Sequence, residues 1–298
     1  MSLGALVLAS SSHAGGPGTV VTTEHVRAEL LLHAPSGIAA GRPVWLALAL
    51  DHQPRWHTYW KNPGDSGLPT SLTWQLSGGA TAGHIAWPTP QALPIGPLVN
   101  YGYEGRVLLP VPVSIAPGFT GGELQVSLQA EWLACKDVCV PESAEFTLKV
   151  PTRAPTATWA KRFEDALTRV PVEPAGVLAR AVVERRALAI EVDGLPATMR
   201  GRPLRFFAEL PGVVEHAAVI DQRWDAERWI ARVPLSSQRS ESPATMPAVL
   251  VSQGQPTGVR VNLAITGSWS NAALPQVPAA RRVVLAPTHN ATADLDKE

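Results

Sequence analysis

"ELQVSLQAEWLACKDVCVPESAEFTLKV", residues 123–150, decides how the chain is read. Apolar residues stand at Leu124, Val126, Leu128, Ala130 and Trp132, and again at Phe146, Leu148 and Val150. That is the period of two of strands buried on one face. Between the two runs lie Cys135 and Cys139, the only cysteines among 298 residues. The stretch reads as a β-hairpin with two thiols at its tip. Carried past Trp132, the even-numbered core face leaves both cysteines on the opposite, accessible side.

A bridge between them requires the chain to fold back, because bridged Cα atoms lie roughly 4.4–6.8 Å apart and an extended run over the same positions spans about 13 Å. Closing so short a loop is worth only about 2 kcal/mol, against nearly 5 for a loop of about 100 residues. A chain of this length also buries an ample core without cross-links. Redox chemistry or metal binding is therefore a better use of the pair than a structural staple. Lys136 and Asp137 roughly cancel, and no histidine is near in sequence to activate a thiolate. Two thiolates suit Cu(I), but a third ligand is missing and methionine occurs three times. Three uses stay open: thiol exchange, an inert bridge in a non-catalytic binding module, and copper handling. His52 and His57 read as hydrogen-bonded residues rather than metal ligands. Trp56, Tyr59 and Trp60 read as core aromatics rather than a sugar platform.

Working outward, 25 basic and 25 acidic residues give zero formal charge, with no long run of one sign. Nucleic acid and anionic membrane surfaces are thereby disfavoured, and proteins are the expected partners. Charged residues make up 17% of the chain, while 28 prolines and 24 glycines divide it into short segments, which favours an all-β fold. The apolar run "VWLALAL" (44–50) is far shorter than the roughly 18 residues of a membrane span. The opening "MSLGALVLASSSHAGG" reads as the back half of a secretory signal peptide or as an ordinary terminus. Trp159, Phe163, Leu167 and Val170 fall at helical spacing between prolines, predicting a short linker helix ended by Pro171. Strand patterns then resume, from "VLARAVVE" (177–184) to "GVRVNLAI" (258–265). The expected organisation is a leader over 1–19, an immunoglobulin-like β-sandwich over 20–153, a linker over 154–171, a second sandwich over 172–276 and a tail over 277–298. The first sandwich is expected to fold alone. The second, lacking cysteine or any cluster of acids, bases or ligands, is expected to do no chemistry.

Three motifs, "WLACKDVCVPE" (132–142), "RWHTYWKNPGDSGLPT" (55–70) and "NYGYEGRVLLPVPV" (100–113), resemble the periplasmic amino-terminal region of the DsbD/ScsB family of thiol:disulfide interchange proteins, the ScsB-like branch in particular. The resemblance implies a protein-disulfide reductase relay without cofactor or metal. It would be periplasmic and tethered to the inner membrane in the full-length protein. A thioredoxin-like donor domain of a membrane interchange protein would reduce it, and it would reduce periplasmic thioredoxin-fold proteins. Cys135 and Cys139 fall on the redox pair, with Cys139 forming the mixed disulfide and Cys135 resolving it. The family's cap loop falls on "NYGYEG", so Tyr101 and Tyr103 are the expected shields, with Trp132 packed beneath the hairpin. The chain departs from the DsbD pattern in its closer cysteines and in Asn100, where that branch has an aromatic residue.

Overall fold

The structure, a computed structural model, describes residues 18–269; nearly all of the expected leader, the last residues of the second domain and the tail lie outside the described residues. Eleven strands come first: β1 (Val20–Thr22), β2 (Val26–His33), β3 (Val44–His52), β4 (His57–Gly64), β5 (Ser71–Leu76), β6 (Thr81–Ala82), β7 (Gln91–Ile95), β8 (Leu98–Glu104), β9 (Arg106–Ser114), β10 (Glu123–Cys135) and β11 (Cys139–Pro151). The last two form the expected hairpin, paired without a slip from Glu123↔Pro151 to Cys135↔Cys139. One sheet runs β1-β2-β3-β9-β6 and the other β11-β10-β4-β8-β7, with β5 also on β10. Leu30, Leu46, Leu48 and Leu109 of the first sheet meet Leu124, Val126, Leu128, Trp132 and Phe146 of the second in one core. Every even-numbered residue of β10 from Leu124 to Ala134 is at most 3% exposed.

"VWLALAL" is buried on both faces, which is why it does not alternate. Leu46, Leu48 and Leu50 point into the sandwich, while Ala47 and Ala49 meet the helix α1 (Ala160–Leu167) through Phe163 and Ala166. The predicted linker helix is thus a cover on the outer face of the first sheet. Its buried residues are Phe163 and Ala166, with Leu167 and Val170 only partly covered.

Seven further strands follow: β12 (Leu178–Glu184), β13 (Ala187–Asp193), β14 (Leu204–Ala208), β15 (Asp221–Asp225), β16 (Arg228–Pro234), β17 (Thr245–Ser252) and β18 (Val259–Thr266). They join in one sheet, β14-β17-β18-β12-β13-β16-β15, wrapped around its own core. The wrapping brings the two outermost strands together. Leu204 N–H donates to Gln222 Oε1 at 2.8 Å, and Gln222 Nε2 donates to Leu204 O at 2.9 Å.

Alternation along β14 and β17 divides their side chains between the two cores. Phe206, Ala208, Ala248 and Leu250 face the second, whereas Phe207, Val249 and Val251 complete the first. The Phe207 ring lies 4.8 Å from that of Tyr101 and 6.4 Å from that of Trp60. A bulge in β4 makes this reach possible. Pairing passes from Tyr59↔Gly102 to Gly64↔Asn100, so residues 60–63 stand opposite Tyr101 alone. Within the bulge, Lys61 meets Glu209 at 3.0 Å, and Asn62, fully buried, donates to Ala208 O at 2.8 Å and to Leu210 O at 3.3 Å. Tyr101 reaches Phe206 O at 3.5 Å.

Candidate functional site

At the hairpin tip the turn Lys136–Val138 is closed by Lys136 N–H donating to Val138 O at 3.1 Å, and Cys135 and Cys139 form a disulfide with Cα atoms 4.1 Å apart. The two sulfurs are not equivalent. Cys139 is exposed, because β11 is the outermost strand of its sheet, whereas Cys135 is 1% exposed, because β10 there also pairs with β4 at Cys135↔His57. The expectation of two accessible cysteines therefore holds for Cys139 and needs correction for Cys135.

The pairing also corrects the expected shield. Tyr101 and Tyr103 stand opposite Trp60 and Thr58, on the strand face turned into the sandwich. Their hydroxyls reach Phe206 O and, at 2.7 Å, Pro88 O. Burial raises both phenols well above their usual pKa. The tyrosine at the disulfide is Tyr59, on the opposite face with His57, and its hydroxyl lies 3.3 Å from Cys139 Sγ. Burial raises its pKa too, against a smaller opposing effect of Ser66, so it is a neutral donor. Asn100 Nδ2 donates to the Tyr59 hydroxyl oxygen at 3.3 Å, leaving the hydroxyl proton free to point at sulfur. Gly67 lies flat on the ring: a Cβ there would fall 2.2 Å from Tyr59 Cζ. The sequence alone places Tyr59 in the core. The discriminating signal, the face given to it by pairing with β8, is not visible in one strand alone.

His57, 2% exposed, stands edge-on to Tyr59 at 5.2 Å, and its Nε2 has no hydrogen-bond partner among the described residues. Burial, with His52 nearby, lowers its pKa to about 4, so the ring is neutral at pH 7. The fold thus brings next to Cys135 a histidine that is distant in sequence, but an uncharged one.

Trp132 faces the core three residues before Cys135, and its indole N–H donates to Glu142 at 3.0 Å. Glu142 also accepts from the Thr23 hydroxyl at 2.6 Å and from His25 N–H at 3.0 Å, with His25 Nδ1 at 2.8 Å. Burial alone would raise the Glu142 pKa, but these bonds outweigh it and hold the carboxylate below its usual range. Glu142 thereby anchors the returning strand. Beside the tip, Leu68 and Val138 are 63% and 64% exposed. A shallow groove of about 470 Å³ runs alongside, lined by Leu68, Pro69, Trp132, Leu133 and Pro141 with Glu131, Glu142 and two serines.

A hairpin-tip disulfide with one exposed sulfur, carried on an immunoglobulin-like sandwich, defines a thiol-disulfide interchange module. Residues 29–151 match the family model of the N-terminal domain of the thiol:disulfide interchange protein DsbD. The crystal structure of the N-terminal periplasmic domain of ScsB from Proteus mirabilis shares the fold, with a TM-score of 0.62 at 16% identity over 84% of this chain and 98% of that one. No curated protein sequence matches the chain.

Proposed function

We propose that the chain is a periplasmic electron relay, reduced by a thioredoxin-like donor domain and in turn reducing thioredoxin-fold proteins. The observation that carries this reading is the asymmetry of the pair: Cys139 is exposed and Cys135 is covered. A donor thiolate attacks Cys139 Sγ, the Cys135–Cys139 bond breaks, and its electron pair leaves with Cys135 as a thiolate. The donor's second thiolate then attacks its own sulfur in the mixed disulfide and releases Cys139, so two electrons have entered this domain. The outgoing half-reaction runs in reverse order: Cys139 attacks the substrate disulfide and Cys135 resolves the intermediate. Leu68, Val138 and the neighbouring groove supply apolar surface beside the sulfur for the partner's own active-site face.

The test pairs Cys135→Ser and Cys139→Ser with a thioredoxin-fold protein that keeps one active-site cysteine, activated by an aromatic thiol. Cys135→Ser, with Cys139 free, should form a reductant-sensitive covalent complex. Cys139→Ser should react at least about tenfold more slowly, since exchange depends on access to the sulfur. Equal rates would overturn the assignment of roles. A midpoint potential below about −300 mV would mark a structural bridge and overturn the relay.

A further inference from the structure

We infer that His216 of the second domain is a positioning residue for the disulfide: it fixes the 64–67 turn that holds the Tyr59 hydroxyl on Cys139, and thereby favours the reduced form of the pair. The inference rests on the exchange reading of the site, and it gives the second domain a part in the chemistry that its own composition lacks.

His216, with a side chain 4% exposed, lies 3.1 Å through Nδ1 from Asp65 Oδ1 and 3.4 Å through Nε2 from Asn62 Nδ2. The Asn62 amide is oriented by its two carbonyl acceptors and by Gly64 N–H, which donates to its Oδ1 at 3.1 Å. The two amide hydrogens of Asn62 go to the Ala208 and Leu210 carbonyls, and the carboxylate of Asp65 only accepts. His216 therefore carries its proton on Nδ1 and gives it to Asp65. The other carboxylate oxygen of Asp65 accepts from Val99 N–H at 2.7 Å, which ties the turn to β8. One residue on, Ser66 donates through its backbone N–H and its hydroxyl to Asn100 Oδ1, at 3.2 and 3.0 Å. With that oxygen occupied, the Asn100 amide nitrogen is directed at Tyr59 and Tyr59 at Cys139 Sγ, while Gly67 closes over the ring. An unbroken set of contacts thus runs from a second-domain imidazole to the exposed sulfur.

In the disulfide, Cys139 Sγ is a weak acceptor, whereas in the reduced pair it is a thiol or thiolate to which a hydroxyl hydrogen bond is worth more. A donor held in place before reduction shifts the equilibrium toward the dithiol, while two electrons and two protons come from the reductant.

The experiment equilibrates the whole chain with mixtures of a small dithiol and its cyclic disulfide at pH 7 and counts free thiols by alkylation and mass. His216→Ala should require about a fivefold higher ratio of dithiol to disulfide for half-reduction, the factor expected for one ordinary hydrogen bond. His216→Asn, which restores an N–H near the position of Nδ1, should recover most of the shift. In a Tyr59→Phe background, adding His216→Ala should change nothing further, because the end of the relay is already gone. A loss of packing common to both redox forms leaves the midpoint in place, so an unmoved midpoint in folded His216→Ala overturns the inference. So does failure of the asparagine rescue, or a further shift in the Tyr59→Phe background. A small dithiol needs no docking partner, so failure here and failure to trap a thioredoxin-fold protein are separate results.

Discussion

Cutting the chain after Arg153 removes α1 and the whole second domain, and the structure says what that costs the remainder. Leu31 and Leu108 lose Phe163 and Ala166 from one side, and Trp60 and Tyr101 lose Phe207. All four are at most 8% exposed in the whole chain. If each gives up about half of the 1.5–3 kcal/mol that full burial of a large apolar side chain brings, the four together cost about 3–6 kcal/mol. Asn62 also loses both of its carbonyl acceptors. Against a typical domain stability of about 5–15 kcal/mol, residues 20–153 alone are marginal, although the sequence suggested an independent unit. With a urea m-value of about 2 kcal/mol per M, the midpoint should fall by about 2 M relative to the whole chain. A fragment extended to Pro171, which keeps α1, should recover part of the difference. Tryptophan fluorescence against urea measures all three proteins. A 20–153 fragment unfolding at the same urea concentration as the intact chain would refute the reasoning, since neither the helix nor the interdomain packing would then support the redox domain.

Other outcomes follow from single groups. The folded-state pKa of His57 is about 4 against an ordinary value of 6.5, so the unfolded chain takes up a proton first as pH falls. Stability should be at its full value above about pH 6.5 and decline toward pH 4, by about 3 kcal/mol in all. Urea unfolding across that range should show a shallower decline for His57→Phe, and an unchanged slope would count against burial as the cause. Glu142→Gln keeps the shape but removes the charge that Thr23, His25 and Trp132 address, and should cost about 1.5–3 kcal/mol at pH 7 by denaturant titration. A loss under about 0.5 kcal/mol would mean the carboxylate does not anchor β11. Gly67→Ala drives a methyl into the Tyr59 ring from a backbone at φ +103. It should destabilise the chain by about 1–3 kcal/mol and move the dithiol midpoint in the same direction as Tyr59→Phe, both read on one protein sample.

The hairpin was legible because each of its strands has one buried face: the even positions from Leu124 to Trp132 fixed the phase, and that phase set the cysteines apart from the core. The linker helix was legible from Phe163 and its neighbours, but its role was not, because the outer face it covers belongs to β3, about a hundred residues away in sequence. Tyr101 and Tyr103 were assigned to the site from the loop that carries them. Pairing with β4 decides otherwise, since side chains alternate and a neighbour in sequence can face the opposite side. Tyr59, His57 and His216 escaped for the same reason in stronger form. Their relation to the sulfurs exists only after three separate strand pairings and one domain contact are made. Asn100 stood out as a polar residue where the DsbD branch has an aromatic one, and in the folded chain its amide joins Ser66 to Tyr59.

The free side of β14 has a wider consequence. Its outward carbonyls are capped in turn by Gln222 at Leu204, Tyr101 at Phe206 and Asn62 at Ala208, so two of the three caps come from the neighbouring domain. An unpaired strand invites a stranger to extend the sheet. Here side chains rather than a further strand block that addition. The protection is conditional, since any opening of the domains that withdraws Tyr101 and Asn62 bares the strand at once. Separation of the two halves would therefore show itself first as self-association through β14.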